Sequence, residues 1–164
     1  MTPATDVYLV RHAKAGSRSA WQDPDDLRPL SKAGRRQAEA LAELLADRGV
    51  TRIVSSPYVR CRQTVEPLGQ RLRLPVDLAD ELAEGAPLPE ARRLVEKYTD
   101  QPTLLCTHGD VIGELLHSLP PGVVDRDARL EKGSTWVLRF EGDDVTGATY
   151  LSPPQLASGV QARP

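Results

Sequence analysis

The sequence predicts an α/β fold: a three-layer α/β/α sandwich, with a mostly parallel central sheet and helices on both faces. Three observations lead there. Short runs rich in β-branched and aliphatic residues alternate with helical segments through most of the chain, the pattern of β-α-β units. The runs "VYLV" at 7–10 and "TLLCTH" at 103–108 read as buried strands. Two late strands, "STWVLRF" and "DVTGATYL", flank the turn "EGDD" and predict an antiparallel edge to the sheet.

Each element has its own local reason. The first strand, 7–10, runs directly into Arg11 and His12. Residues 15–30 are rich in Gly, Ser, Asp and Pro and read as a long loop, a class of segment that often carries function. Ser31 supplies an N-cap for a helix running to about Arg48. Ala38, Leu41, Ala42 and Leu45 line one face of that helix and Gly49 stops it. "TRIVSS" reads as the second strand. Pro57 suits the first turn of the next helix, which Val59, Val65, Leu68 and Leu72 anchor, with Pro75 just beyond its end. "VDLA" predicts a third strand, 79–89 a loop, 90–99 a helix, and "GDVIGELLHSL" a further helix after the 103–108 strand. Residues 1–151 are expected to form a single domain and 152–164 a mobile tail.

Composition narrows the partners. The chain has 164 residues, 40% hydrophobic and 27% charged, with a formal net charge of −2. That balance gives no electrostatic case for nucleic acid or an anionic membrane. No apolar run approaches the length of a membrane span, and "MTPATD" lacks the basic and apolar regions of a signal peptide, so a cytoplasmic protein is expected. Cys61 and Cys106 have no metal-like spacing and read as reduced thiols.

The chemistry collects where ligands gather in open α/β sheets, beyond the carboxyl ends of the strands. Arg11 and His12 end the first strand. Arg60 lies about one turn into the helix after the second. His108, followed by Gly109 and Asp110, ends the "TLLCTH" strand. Any one of these has a duller reading as a solvated or hydrogen-bonded side chain. Their shared place in three β-to-α units makes coincidence a poor explanation. Two arginines crowd out a metal cation, so no metal site is expected here. Arginine forks and helix N-termini suit a phosphoryl group instead. Arg62 and His117 read as a solvated and a structural residue.

The segments "LVRHAKAG", "SSPYVRCRQT" and "CTHGDVIG" resemble the three signature segments of the histidine phosphatase superfamily, also called phosphoglycerate mutase-like. Order and spacing match over about residues 6–115. The compact length and "DLRPLSKAG" further resemble the small SixA-like branch, which includes phosphohistidine phosphatases. Similar domains stand behind Nudix hydrolases in some bacteria. The resemblance implies a phosphoglycerate mutase-like fold and assigns roles. His12 takes up the phosphoryl group, while Arg11, Arg60 and His108 hold its nonbridging oxygens. Arg11 and Arg60 also disfavour protonation of His12, and an imidazole is nucleophilic only when neutral. No cofactor is implied. His108 donates best when protonated, a state that a bound phosphate dianion favours. The family's general acid, a Glu four residues before a Gly, maps to Glu81 in "DELAEG", with Asp80 and Glu84 as neighbours that can substitute. One departure is Ala13, where the family has Gly after the nucleophile.

Substrate choice falls to the 15–30 loop. Ser17, Arg18 and Arg28 are candidate substrate contacts, and Trp21 is either a lid anchor or a packing residue. The expected function is a metal-independent phosphatase acting through phosphohistidine, with a phosphohistidine protein as substrate. Small phosphomonoesters, such as nucleotides or sugar phosphates, are the alternative. A phosphate-binding module without turnover is the second alternative, and a mutase fits less well. The oligomeric state is open.

Overall fold

The computed structural model describes residues 3–125 and 128–156. Six strands form one sheet: β1 (Ala4–Arg11), β2 (Arg52–Ser55), β3 (Val76–Leu78), β4 (Thr103–Thr107), β5 (Thr135–Glu141) and β6 (Asp144–Leu151). Their order across the sheet is β3-β2-β4-β1-β5-β6. β1 to β4 are parallel to one another. β5 runs antiparallel to β1, and β6 antiparallel to β5. The α/β/α sandwich expected from the alternation is therefore the observed one, edge hairpin included.

Period-2 alternation divides β1 between two cores. Tyr8 and Val10 pack with Leu41, Leu45, Ile53, Val65 and Leu68 under helices α1 (Lys32–Leu45) and α2 (Val59–Leu72). Val7 and Leu9 pack with Leu94, Val95, Ile112, Leu115 and Leu138 under α3 (Leu88–Lys97) and α4 (Gly109–His117). Among the described residues no helix is long and apolar enough to cross a membrane.

Ser31 caps α1 as expected, its hydroxyl accepting from Gly34 N at 3.1 Å. Gly34 is required by a close approach: a Cβ there would lie 1.8 Å from the Lys14 carbonyl oxygen. That carbonyl also accepts from Ser31 N at 3.0 Å, so the start of α1 is fastened to the segment after His12.

Several boundaries differ from expectation. α1 ends at Leu45, and residues 46–48 form a turn before Gly49, whose φ of 80° completes the reversal. α2 begins at Val59 rather than at Pro57, with Tyr58 in the N-cap position. It ends on Arg73 in a left-handed conformation, ahead of Pro75. α3 begins two residues early, because Pro89 fits its first turn. The 79–89 loop contains a 3-10 turn, Asp80–Leu82, and the 15–30 loop contains another, Asp25–Leu27. The expected tail is described only to residue 156. Residues 157–164 lie outside the described residues.

Candidate active site

The strand order puts β2, β4 and β1 side by side, so the ends of three β-to-α units share one edge of the sheet. Arg11 pairs with Thr107 in register, and His12 N donates to the Thr107 carbonyl at 3.1 Å. His108 follows as the N-cap residue of α4, and Arg60 is the second residue of α2.

His12 is 6% exposed. Its Nδ1 lies 2.8 Å from the Ala13 carbonyl oxygen. A carbonyl only accepts, so Nδ1 carries the proton and Nε2 keeps a free lone pair. Burial lowers the ring's basicity most. The bond to Ala13 opposes that, and the charges of His108, Arg60 and Arg11 reinforce it, bringing the pKa from 6.5 to about 3. The ring is therefore held neutral, the form in which its Nε2 lone pair is able to attack an electrophile. Ala13 is 1% exposed, and Arg73 is the non-glycine residue with positive φ among those described, so Ala13 takes the family's glycine position without strain. Its amide donates to Thr64 Oγ1 at 2.9 Å, and Thr64 donates to the Arg60 carbonyl at 2.7 Å. Thr64 thus ties the segment after His12 to the first turn of α2.

His108 is 2% exposed. Its Nε2 is 2.9 Å from Ser56 Oγ and 3.5 Å from Cys61 Sγ, while Nδ1 lies 3.5 Å from Glu84 Oε1. The Tyr58 ring meets it edge to face at 4.6 Å.

Arg60 is fully buried, and its guanidinium faces two carboxylates. Nη2 donates to Asp25 Oδ2 at 3.0 Å and to Glu84 Oε1 at 2.8 Å, and Nη1 donates to the Asp25 carbonyl at 2.8 Å. Arg28 approaches Asp25 from the other side, Nε to Oδ1 at 3.0 Å, and its Nη1 holds the Gly16 carbonyl at 2.7 Å. Burial pushes the Asp25 carboxyl up, but the bonds from Arg28 and Arg60 outweigh it and hold the group below the usual carboxylate range. Arg18 is exposed and stands 3.7 Å from Asp25 and 3.6 Å from Glu84.

Arg11 Nη1 donates to the Leu130 carbonyl, and its guanidinium lies against Gly109. A Cβ at Gly109 would sit 3.0 Å from Arg11 Cζ and Nε. Glycine at the start of α4 therefore makes room for Arg11. Lys132 completes the rim. Burial, then the charges of Arg11, Arg28, Arg18 and Arg60, lower its pKa. Arg11, Arg18, Arg28, Glu84 and Lys132 line an open pocket of about 540 Å³ with His12 and His108 in its wall, and Arg60 lies buried behind that lining, paired with Glu84.

The structure brings Arg11, His12, Arg60 and His108 to one place. Ser17, Arg18 and Arg28 border the same pocket. Ser17 turns its hydroxyl toward Ser19 at 3.0 Å, and Arg28 is 5% exposed and engaged with Asp25 and Gly16, so Arg28 braces the loop. Trp21 donates from Nε1 to the Pro24 carbonyl at 3.0 Å, a brace within the loop. Glu81 is not among the residues lining the pocket. It lies inside the 3-10 turn, and the chain delivers Glu84, three residues later, to Arg60 and His108. Sequence reasoning missed Asp25, Ser56, Tyr58, Thr64 and Lys132. The Asp25-x-x-Arg28 spacing was the available signal for the first, since residues three apart meet across a helical turn.

Residues 7–86 match the family model of the histidine phosphatase superfamily, branch 1. An 8-oxo-(d)GTP phosphatase of Mycolicibacterium smegmatis is 39% identical over 155 residues, covering 90% of this chain and 48% of that protein. The chain spans about half the length of the mycobacterial relatives it matches. Phosphohistidine phosphatase SixA of Escherichia coli is 31% identical over 125 residues, 71% of this chain and 74% of that protein. The structure of SixA complexed with tungstate superposes with a TM-score of 0.78 over 90% of this chain and 97% of that one, at 22% identity, a likeness of fold. The chain belongs to the histidine phosphatase superfamily. Its relatives with named activities include phosphatases of two kinds.

Proposed function

We propose that this protein is a metal-independent phosphatase that works through a phosphohistidine on His12. The observation that carries the reading is the neutral, anchored His12 ring in the pocket wall with Arg11 and His108, with Arg60 near enough for its charge to act on the ring. His12 Nε2 attacks phosphorus, the bond from phosphorus to the leaving group breaks, and the leaving atom takes a proton. Water then attacks the phosphohistidine, releasing phosphate and returning the neutral ring. Arg11, Arg60 and His108 bind the charge spread over the three nonbridging oxygens, which serves in place of a metal ion. Glu84 serves as the proton-transfer carboxyl in this reading, supported by its contacts, alone among the "DELAEG" acids, with both Arg60 and His108.

Phosphohistidine on a protein is the favoured substrate class. The SixA relative is matched over most of its own length, and the pocket is open enough to admit a side chain. A nucleotide substrate is the second reading, favoured by the mycobacterial 8-oxo-(d)GTP phosphatase, which matches nearly the whole of this chain. A panel of a phosphohistidine peptide, nucleotides and sugar phosphates, ranked by kcat/KM, separates them. The favoured reading expects the peptide to lead. A nucleotide that outranks it transfers the assignment to the second reading. Equal phosphate release by wild type and His12→Ala contradicts both.

A further inference from the structure

The two imidazoles offer the pocket different nitrogens. His12 is tied at Nδ1 and presents Nε2. His108 is tied at Nε2, by Ser56 Oγ at 2.9 Å with Cys61 Sγ at 3.5 Å, and presents Nδ1. That Nδ1 is buried, has no hydrogen-bond partner within the protein, and stands 3.5 Å from the Glu84 carboxylate.

We infer that Ser56 is a positioning residue that holds His108 with its proton on Nδ1, so that the ring donates to the phosphoryl group from that nitrogen. The inference rests on the reading of His108 as a phosphoryl ligand. Ser56 Oγ accepts from the Tyr58 amide at 3.2 Å. That amide occupies one lone pair of the hydroxyl, and Nε2, 2.9 Å away, is placed to take the hydroxyl hydrogen. An Nε2 that accepts obliges a neutral imidazole to carry its single proton on Nδ1. Cys61 Sγ is the other group at this nitrogen, 3.5 Å away. Ser56 and Cys61 are both 0% exposed, which leaves water no room to replace either one.

The opposite tautomer is disfavoured on the pocket side. It would turn the Nδ1 lone pair toward Glu84 in the free enzyme and toward phosphoryl oxygens in the complex, acceptor against acceptor. With the proton on Nδ1, the ring donates without needing a net charge. The edge-to-face contacts with Tyr58 at 4.6 Å and His12 at 5.4 Å hold its plane. The competing state is a Cys61 thiolate that draws a proton onto Nε2: burial pushes the thiol's pKa up, but its bonds with Cys106, His108 and Ser56 outweigh burial and bring it to about 6.

Imidazole ¹⁵N NMR on the full chain at neutral pH tests this without turnover, and so independently of the phosphatase reading. In the wild type the His108 proton is expected on Nδ1, with Nε2 unprotonated. Protonation of Nε2, alone or together with Nδ1, overturns the inference. Ser56→Ala is expected to shift proton population to Nε2 and to lower kcat by about tenfold to a hundredfold, while Cys61→Ser keeps the wild-type tautomer. A Ser56→Ala protein with its tautomer unchanged removes Ser56 from the role. Should that variant not fold, the wild-type spectrum decides by itself.

Discussion

His12 and His108 meet edge to face in the wall of the pocket, their ring centroids 5.4 Å apart at an interplanar angle of 66°. The sheet sets this distance. His12 N donates to the carbonyl of Thr107, the residue just before His108, so the two rings leave adjacent parallel strands from neighbouring positions. The proposed nucleophile and the proposed phosphoryl ligand are thereby held on rigid elements, while the loops supply the rim.

The depressed basicity of His12 has consequences for both activity and stability. Substitution of His12 by Ala is expected to reduce turnover by roughly a thousandfold or more. In the unfolded chain the ring takes its ordinary pKa of 6.5, against about 3 in the fold. Between those values the unfolded state binds more protons. The stability owed to the neutral ring is therefore complete above pH 6.5 and is lost as pH falls toward 3. Chemical denaturation midpoints across that range should fall more steeply for wild type than for His12→Gln. Parallel curves contradict the assignment.

Glu84 and Glu81 are separated by substitution with Gln. Glu84→Gln should slow hydrolysis of esters with poor leaving groups by about a hundredfold or more, and of p-nitrophenyl phosphate much less, because a good leaving group does not need the proton. Glu81→Gln should leave both rates within about twofold. Steady-state kinetics on the two ester classes read the difference. A large effect at Glu81 restores the expectation drawn from the motif spacing.

Gly34 links the fold to the site. An Ala side chain there would meet the Lys14 carbonyl oxygen at 1.8 Å, and backbone has to move to relieve it. Gly34→Ala should lose about 3 kcal/mol or more in urea denaturation, a size reserved for steric conflicts and other severe changes. A loss below about 1 kcal/mol means that the Lys14 segment yields easily.

Much of this was legible in the sequence, and the physical reasons differ between parts. The β-α alternation and the apolar runs at 7–10 and 103–107 carry the sheet, because burial on both faces demands continuous apolar strands. The central four residues were legible because each stands at a strand end or the helix start beyond it. Glu84 was harder to single out, since three acids crowd 80–84 and a single 3-10 turn decides which one faces Arg60. Asp25 could not be placed, because its partner Arg60 is 35 residues away and only loop folding brings them together. Arg28 reads in sequence as a candidate substrate contact. The isolated bridge between Ala15 and Leu30 closes the loop so that Arg28 is buried against Gly16 and Asp25.

The central claim, a phosphoryl group carried on His12, is tested most directly by rapid-quench mass spectrometry during turnover of a phosphorylated substrate. The expected result is an acid-labile, base-stable phosphoryl adduct on the peptide containing His12, formed and consumed at rates that match turnover and absent from His12→Ala. Turnover without that adduct, or an adduct on any other residue, contradicts the account.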